Sequence, residues 1–103
     1  MSKGIVNLSK SMLEIMEVVA DEYGMEIIDL KCKSKETQFI WPRHLAMYMC
    51  YQAGYTSRHI GKAFDRSRHM ATHANKSVDS LCSVYPKLNK ERIRIAKLLD
   101  ILE

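Results

Sequence analysis

The chain reads as an all-α protein, a compact bundle of about six helices, on three observations. Apolar residues recur three and four positions apart in several separate stretches. Period-two alternation nowhere runs to a useful length, and no Asn-Gly or Asp-Gly pair marks a hairpin.

Each element has its own signals. Met12, Met16, Val19, Ala20 and Tyr23 fall on one face of a first helix, with Asn7 or Ser9 as its cap and Gly24 as its stop. Met25 to Leu30 forms a short helical turn, and Lys31 to Gln38 is polar and loop-like. Pro42 is expected at the first position of the next helix. That helix runs to about Ala53, buries Ala46, Met49, Cys50 and Ala53, and ends at Gly54.

Thr56 or Ser57 caps a brief helix to Phe64, with Ile60, Ala63 and Phe64 inward. A turn at Asp65, Arg66 and Ser67 leads into a longer helix ending near Tyr85. Pro86 closes it, Asn89 caps the last helix, and Ile95, Leu98, Leu99 and Leu102 form that helix's apolar face. The expected core is Met16, Val19, Ala46, Met49, Ile60, Phe64, Ala74, Val78 and Leu99.

A length of 103 residues fits a single domain, 1–103. Hydrophobic residues make up 47%, enough for a core but a modest one, which disfavours a deep catalytic cavity. No apolar run reaches the roughly 18 residues of a membrane span, and the N-terminus has no signal-peptide pattern. The three cysteines, Cys32, Cys50 and Cys82, are odd in number and widely spaced, which argues against disulfides and zinc fingers. These features fit the cytoplasm of a bacterium or of a phage-infected cell.

Net charge is +4, unevenly spread. Residues 1–30 carry −4, residues 31–76 carry +7, and residues 77–103 carry +1. An acidic partner is drawn to the middle of the chain.

On a helical wheel of the long helix, Ala71, Ala74, Val78, Leu81, Cys82 and Tyr85 gather on one side. His69, Thr72, His73, Lys76 and Ser80 point the other way, with Arg66 and Arg68 at the start. No carboxylate follows on that face until Asp79. The short helix before it adds Arg58, His59 and Lys62. Two helices on a tight turn, the second presenting basic and hydrogen-bonding groups at its N-terminus, make the layout of a helix-turn-helix. Arginine reads guanine through two parallel hydrogen bonds, and His and Thr suit base edges, thymine methyls or phosphates.

Other chemistries fit poorly. His69 and His73 share a helix face at i, i+4, but no HExxH pattern and no third ligand accompany them, so no metal is expected. A catalytic histidine needs an orienting carboxylate or a nucleophile partner. Asp65 and Ser67 are near in sequence, yet the surrounding charge suits binding. The expectation is no enzyme and no cofactor.

Four stretches stand out in order: Val19-Ala20-Asp21-Glu22-Tyr23 with Ile28-Asp29-Leu30, Pro42-Arg43-His44-Leu45-Ala46-Met47-Tyr48, Ile60-Gly61-Lys62-Ala63-Phe64 and His73-Ala74. Through them the chain, over residues from about 11 to 102, resembles the C-terminal DNA-binding domain of the bacterial replication initiator DnaA, a helix-turn-helix related to the Trp repressor. The last two stretches are similar to the family's Ile-Gly-x-x-Phe and to the end of its Gly-Arg-Asp-His-Thr-Thr-Val-x-His-Ala signature. The resemblance implies that Arg66, Ser67, Arg68, His69 and Met70 occupy the signature stretch, with one residue deleted in the turn. It implies a minor-groove role for Lys35 and places Arg43, Lys62 and His73 near phosphates. The family's Gly-Gly is absent, with Asp65 in that turn, and Trp41 replaces the first Arg of its Arg-Pro-Arg. Several base-reading groups therefore differ, and DNA binding carries over better than preference for the initiator's own box.

These 103 residues hold no GxxxxGK[ST] loop, so the family's ATPase module is not expected. The expectation is a freestanding module that binds double-stranded DNA through Lys35, Arg43, Arg58, Lys62, Arg66, Ser67, Arg68, His69, Thr72, His73 and Lys76. About four to six phosphate contacts are expected. Its role would be a small regulator of transcription or of replication initiation. The alternative is a decoy or adaptor binding a replication or transcription protein, with Glu14, Glu17, Asp21 and Glu22 of the first helix as contacts.

Overall fold

The computed structural model describes residues 10–33 and 37–101. Six helices follow one another: α1 (Met12–Glu22), α2 (Ile27–Lys31), α3 (Thr37–Gln52), α4 (Ser57–Ala63), α5 (Arg68–Val84) and α6 (Pro86–Leu99). The described residues contain no strand. The expected all-α bundle is the observed fold, and none of its helices is long and apolar enough to cross a membrane.

Helix α3 is central over residues 45–50, where it is buried on every side. Leu45, Ala46, Met47, Tyr48, Met49 and Cys50 are consecutive and all buried, which only a helix surrounded by others can satisfy. Around it pack Ile15, Met16, Val19 and Ala20 of α1, Leu30 of α2, and Ile60 of α4 with Phe64 just beyond it. Ala71, Ala74, Val78 and Cys82 of α5 and Ile95, Ala96 and Leu99 of α6 complete the core. All nine expected core residues are buried.

Several boundaries differ from the sequence reading. The cap of α1 is Ser11: its side chain accepts from the Glu14 N–H, and Glu14 accepts from the Ser11 N–H, a reciprocal capping box. Asn7 and Ser9 lie outside the described residues. Helix α3 begins at Thr37, so Pro42 sits inside it rather than at its start, and the polar loop is shorter than expected. Proline costs the helix one ladder hydrogen bond. The early turn is anchored from outside, because the Trp41 indole N–H donates to Tyr23 Oη of α1 (2.9 Å) and Glu91 Oε1 of α6 (3.0 Å).

Pro86 bars α5 as expected, but it also opens α6 at once. Its fixed φ and missing N–H suit a first helical position. Asn89 is thus inside α6, where its Oδ1 accepts from Arg92 (2.6 Å), and is not a cap. Leu98 is exposed, Ala96 taking the inward position instead, and Leu102 lies outside the described residues.

Between α4 and α5 the chain reverses in a few residues. Thr56 caps α4 by accepting from the His59 N–H, and Ser67 caps α5 by accepting from the Met70 N–H. Asp65 carries the reversal at φ 57, a left-handed conformation that Asp tolerates better than most residues. The turn then folds back over Gly61. The Arg66 N–H donates to the Gly61 carbonyl (2.7 Å), and a Cβ on Gly61 would stand 2.7 Å from the Arg66 carbonyl oxygen and 2.9 Å from the Ser67 carbonyl carbon. Backbone atoms cannot swing aside as a side-chain tip does. Gly61→Ala is therefore expected to lower stability by about 1–3 kcal/mol through overpacking. Chemical denaturation measures this, and a loss below about 0.5 kcal/mol would show that the turn can widen without cost.

Candidate nucleic-acid interface

Helices α4 and α5 place their polar faces side by side. Arg58 and Lys62, one turn apart on α4, are exposed, as are Arg68 and His69 in the first turn of α5 and His73 and Lys76 further along it. Arg58, Lys62, Arg66 and Arg68 line one concavity of about 450 Å³, with no carboxylate among them. Such a hollow concentrates positive potential on whatever anion enters it. A larger hollow of about 520 Å³ opens between Trp41, Pro42, Leu81 and Leu88. Its walls are mostly apolar, which suits it poorly to a phosphate backbone.

The sequence-derived residues divide by what they touch. Arg58, Lys62, Arg68, His69, His73 and Lys76 face outward. Ser67 is the α5 cap. Thr72 is half-buried: its hydroxyl donates to the Arg68 carbonyl and pairs with Ser57 Oγ (3.0 Å), tying α5 to α4. Lys35 lies outside the described residues.

The structure turns Arg43 away from its expected phosphate-facing position and lays the Arg66 guanidinium on backbone carbonyls. Arg43 is only 6% exposed, and its Nε donates to the Leu30 carbonyl (3.1 Å). Arg66 lines the basic hollow, yet its guanidinium donates to the carbonyls of Lys31 (3.1 Å) and Phe64 (3.1 Å) and to that of Cys32. Charge counted along a sequence cannot separate a guanidinium in water from one laid on carbonyl oxygens. Burial, then the nearby Arg43 charge, lowers the Arg66 pKa from a value so high that it stays charged.

Two further side chains belong to this surface, and only His44 was given no place in it by the sequence reading. Met70, in the first turn of α5, is 42% exposed beside Arg68 and His69. The family likeness places it in the signature stretch, and the start of the helix turns it to solvent. His44 of α3 meets the α5 face edge-on, its ring centroid 5.9 Å from that of His73. Burial, then the charges of His73, Arg43 and Arg66, pushes the His44 pKa down to about 4, so His44 is neutral at pH 7 and adds no charge to this surface. Among the described residues no three His, Cys, Asp or Glu side chains gather to hold a metal ion.

Helices α4 and α5, their short turn and their shared basic surface define a helix-turn-helix domain. The chain belongs to the bacterial DnaA protein helix-turn-helix family, whose model matches residues 12–78, and that family is one of DNA-binding domains. Its relatives include chromosomal replication initiator proteins DnaA. That of Mycoplasma capricolum is 28% identical over 102 residues, covering 97% of this chain and 20% of the relative. That of Dechloromonas aromatica is 32% identical over 91 residues, covering 86% and 19%. That of Pelobacter propionicus is 28% identical over 78 residues, covering 74% and 17%. The chain thus spans about a fifth of the length of these relatives.

Proposed function

We propose that this chain binds double-stranded DNA in a sequence-specific manner, with α5 in the major groove, and acts as a small regulator of transcription or of replication initiation. The observation that carries the reading is the carboxylate-free basic hollow beside the first turn of α5, the end of a recognition helix that approaches base edges. In this arrangement Arg68 and His69 read bases, while Arg58, Lys62, His73 and Lys76 hold phosphates. Met70 offers an apolar surface of the kind that meets a thymine methyl. Lys35 retains the minor-groove role implied by the family likeness. Arg43 and Arg66 leave the list of direct contacts, because carbonyl oxygens already occupy the donors described above.

A comparison of Arg68→Ala with Lys62→Ala tests the assignment. A bidentate arginine–guanine contact is worth roughly 1–3 kcal/mol of discrimination. Arg68→Ala should lose about that much on a site selected from random duplexes and much less on a scrambled duplex at the same salt. Lys62→Ala should weaken both by similar factors, as loss of a phosphate contact does. Proportional losses in both variants would make Arg68 another phosphate ligand and leave base reading to its neighbours.

A further inference from the structure

The end of α2 is held by basic side chains from two different elements. Carbonyls in the last turn of a helix lack partners within it and attract cations. Here Arg43, reaching from α3, takes the Leu30 carbonyl and lies 3.6 Å from Cys32 Sγ. Arg66, reaching from the turn between α4 and α5, takes the carbonyls of Lys31 and Cys32 and, with the same guanidinium, that of Phe64. From the opposite side Lys33 Nζ donates to the Asp65 carbonyl (2.7 Å) and pairs with the Asp65 carboxylate (3.5 Å). The exposed ion pair contributes little by itself. The charge-assisted bonds to carbonyls are the stronger part. Segments more than 30 residues apart in sequence are thereby fastened together, and Lys31 and Lys33 are exposed at the junction.

We propose that Arg66, backed by Arg43, is a positioning residue for DNA recognition. It locks the end of α2 to the helix-turn-helix, so that Lys31, Lys33 and the first turn of α5 meet the duplex in one fixed relation. The planar fork matters, because Nη1 meets the carbonyls of Lys31 and Phe64 while Nη2 meets that of Cys32, and one ammonium nitrogen cannot occupy both places. The proposal rests on the DNA-binding reading above, and it separates Arg66 from the phosphate ligands it neighbours.

The test uses Arg66→Lys and Arg66→Met in the whole chain. Binding is measured on duplexes in which each position of the selected site is varied singly. Amide exchange over residues 27–33 is measured in the free protein. Both variants should lose at least fivefold in affinity for the selected site. Their preference should flatten at one end of the site while base discrimination elsewhere stays within twofold of the parent. Exchange over residues 27–33 should rise at least tenfold without DNA. The proposal is overturned if Arg66→Lys keeps the parent's affinity and exchange while Arg66→Met lowers the log–log salt slope by about 0.9, the mark of one lost phosphate contact. It is equally overturned if discrimination falls in proportion at every position, which a merely structural role would produce. Should Arg66→Met fail to fold, Arg66→Lys carries both measurements alone. A parent chain with no preference for any duplex would sink the DNA-binding reading itself. A parent with clear preference and an unchanged Arg66→Lys profile sinks only the positioning role.

Discussion

Raising salt from about 50 to 200 mM should weaken binding to the selected duplex roughly two-hundredfold. The estimate follows from counterion release, at about 0.9 of a log–log unit per phosphate neutralised. Arg58, Lys62, His73 and Lys76, the four residues proposed to hold phosphates, face outward from the two helices. With Arg43 and Arg66 turned onto carbonyls, the lower end of the expected range of contacts applies, and a slope near about −4 results. His44 adds nothing at neutral pH, since burial keeps it uncharged. Titration by fluorescence anisotropy at four or five salt concentrations gives the slope directly. A fall below about tenfold over that interval would mean that phosphate contact is a minor term. The chain would then be better read as an adaptor for another protein, with the acidic face of α1 as its contact.

Phe64→Ala should produce the largest loss of stability, about 3–5 kcal/mol, as measured for large-to-small changes at buried aromatic positions. Phe64 is fully buried just beyond α4, where that helix meets the core. The loss is a large part of the roughly 5–15 kcal/mol that holds a domain of this size together. Thermal unfolding should shift down by about 15 °C or more. Under the proposed function duplex affinity should fall with it, because Phe64 is the core residue that directly precedes the turn between α4 and α5. Ile28→Ala is the control: Ile28 is 68% exposed, and its removal should change stability by no more than about 0.5 kcal/mol. Equal losses in the two variants would show that the Phe64 ring contributes no more than an exposed side chain does.

What the sequence revealed was governed by local rules, and what it hid depended on distant partners. The stripe Ala71, Ala74, Val78 and Cys82 announces both the inner face of α5 and, by exclusion, its outer face. The start of α3 was hidden because Trp41 finds its partners 18 and 50 residues away. The inward turn of Arg66 was hidden for the same reason, its carbonyl acceptors on α2 lying 34 and 35 residues off. Pro86 was ambiguous in principle, since the feature that bars a helix from continuing also suits the start of the next. Asp65 was visible as an oddity in a turn that the related family builds with glycine. Its left-handed φ explains how the turn closes without one.

The division between buried and exposed positions on α5 has a consequence for how such a domain changes its target. Arg68, His69, Met70, His73 and Lys76 are all exposed, and the core of the helix rests on other residues. Replacing exposed side chains away from caps and special backbone positions seldom alters stability by more than about 0.5 kcal/mol. Each of these five positions can therefore be changed at little cost to the fold, and under the function proposed above a lineage can move from one DNA address to another through folded intermediates. The turn has no such freedom, because a side chain at Gly61 would strike the backbone that follows. Over time the address should drift quickly and the hinge hardly at all.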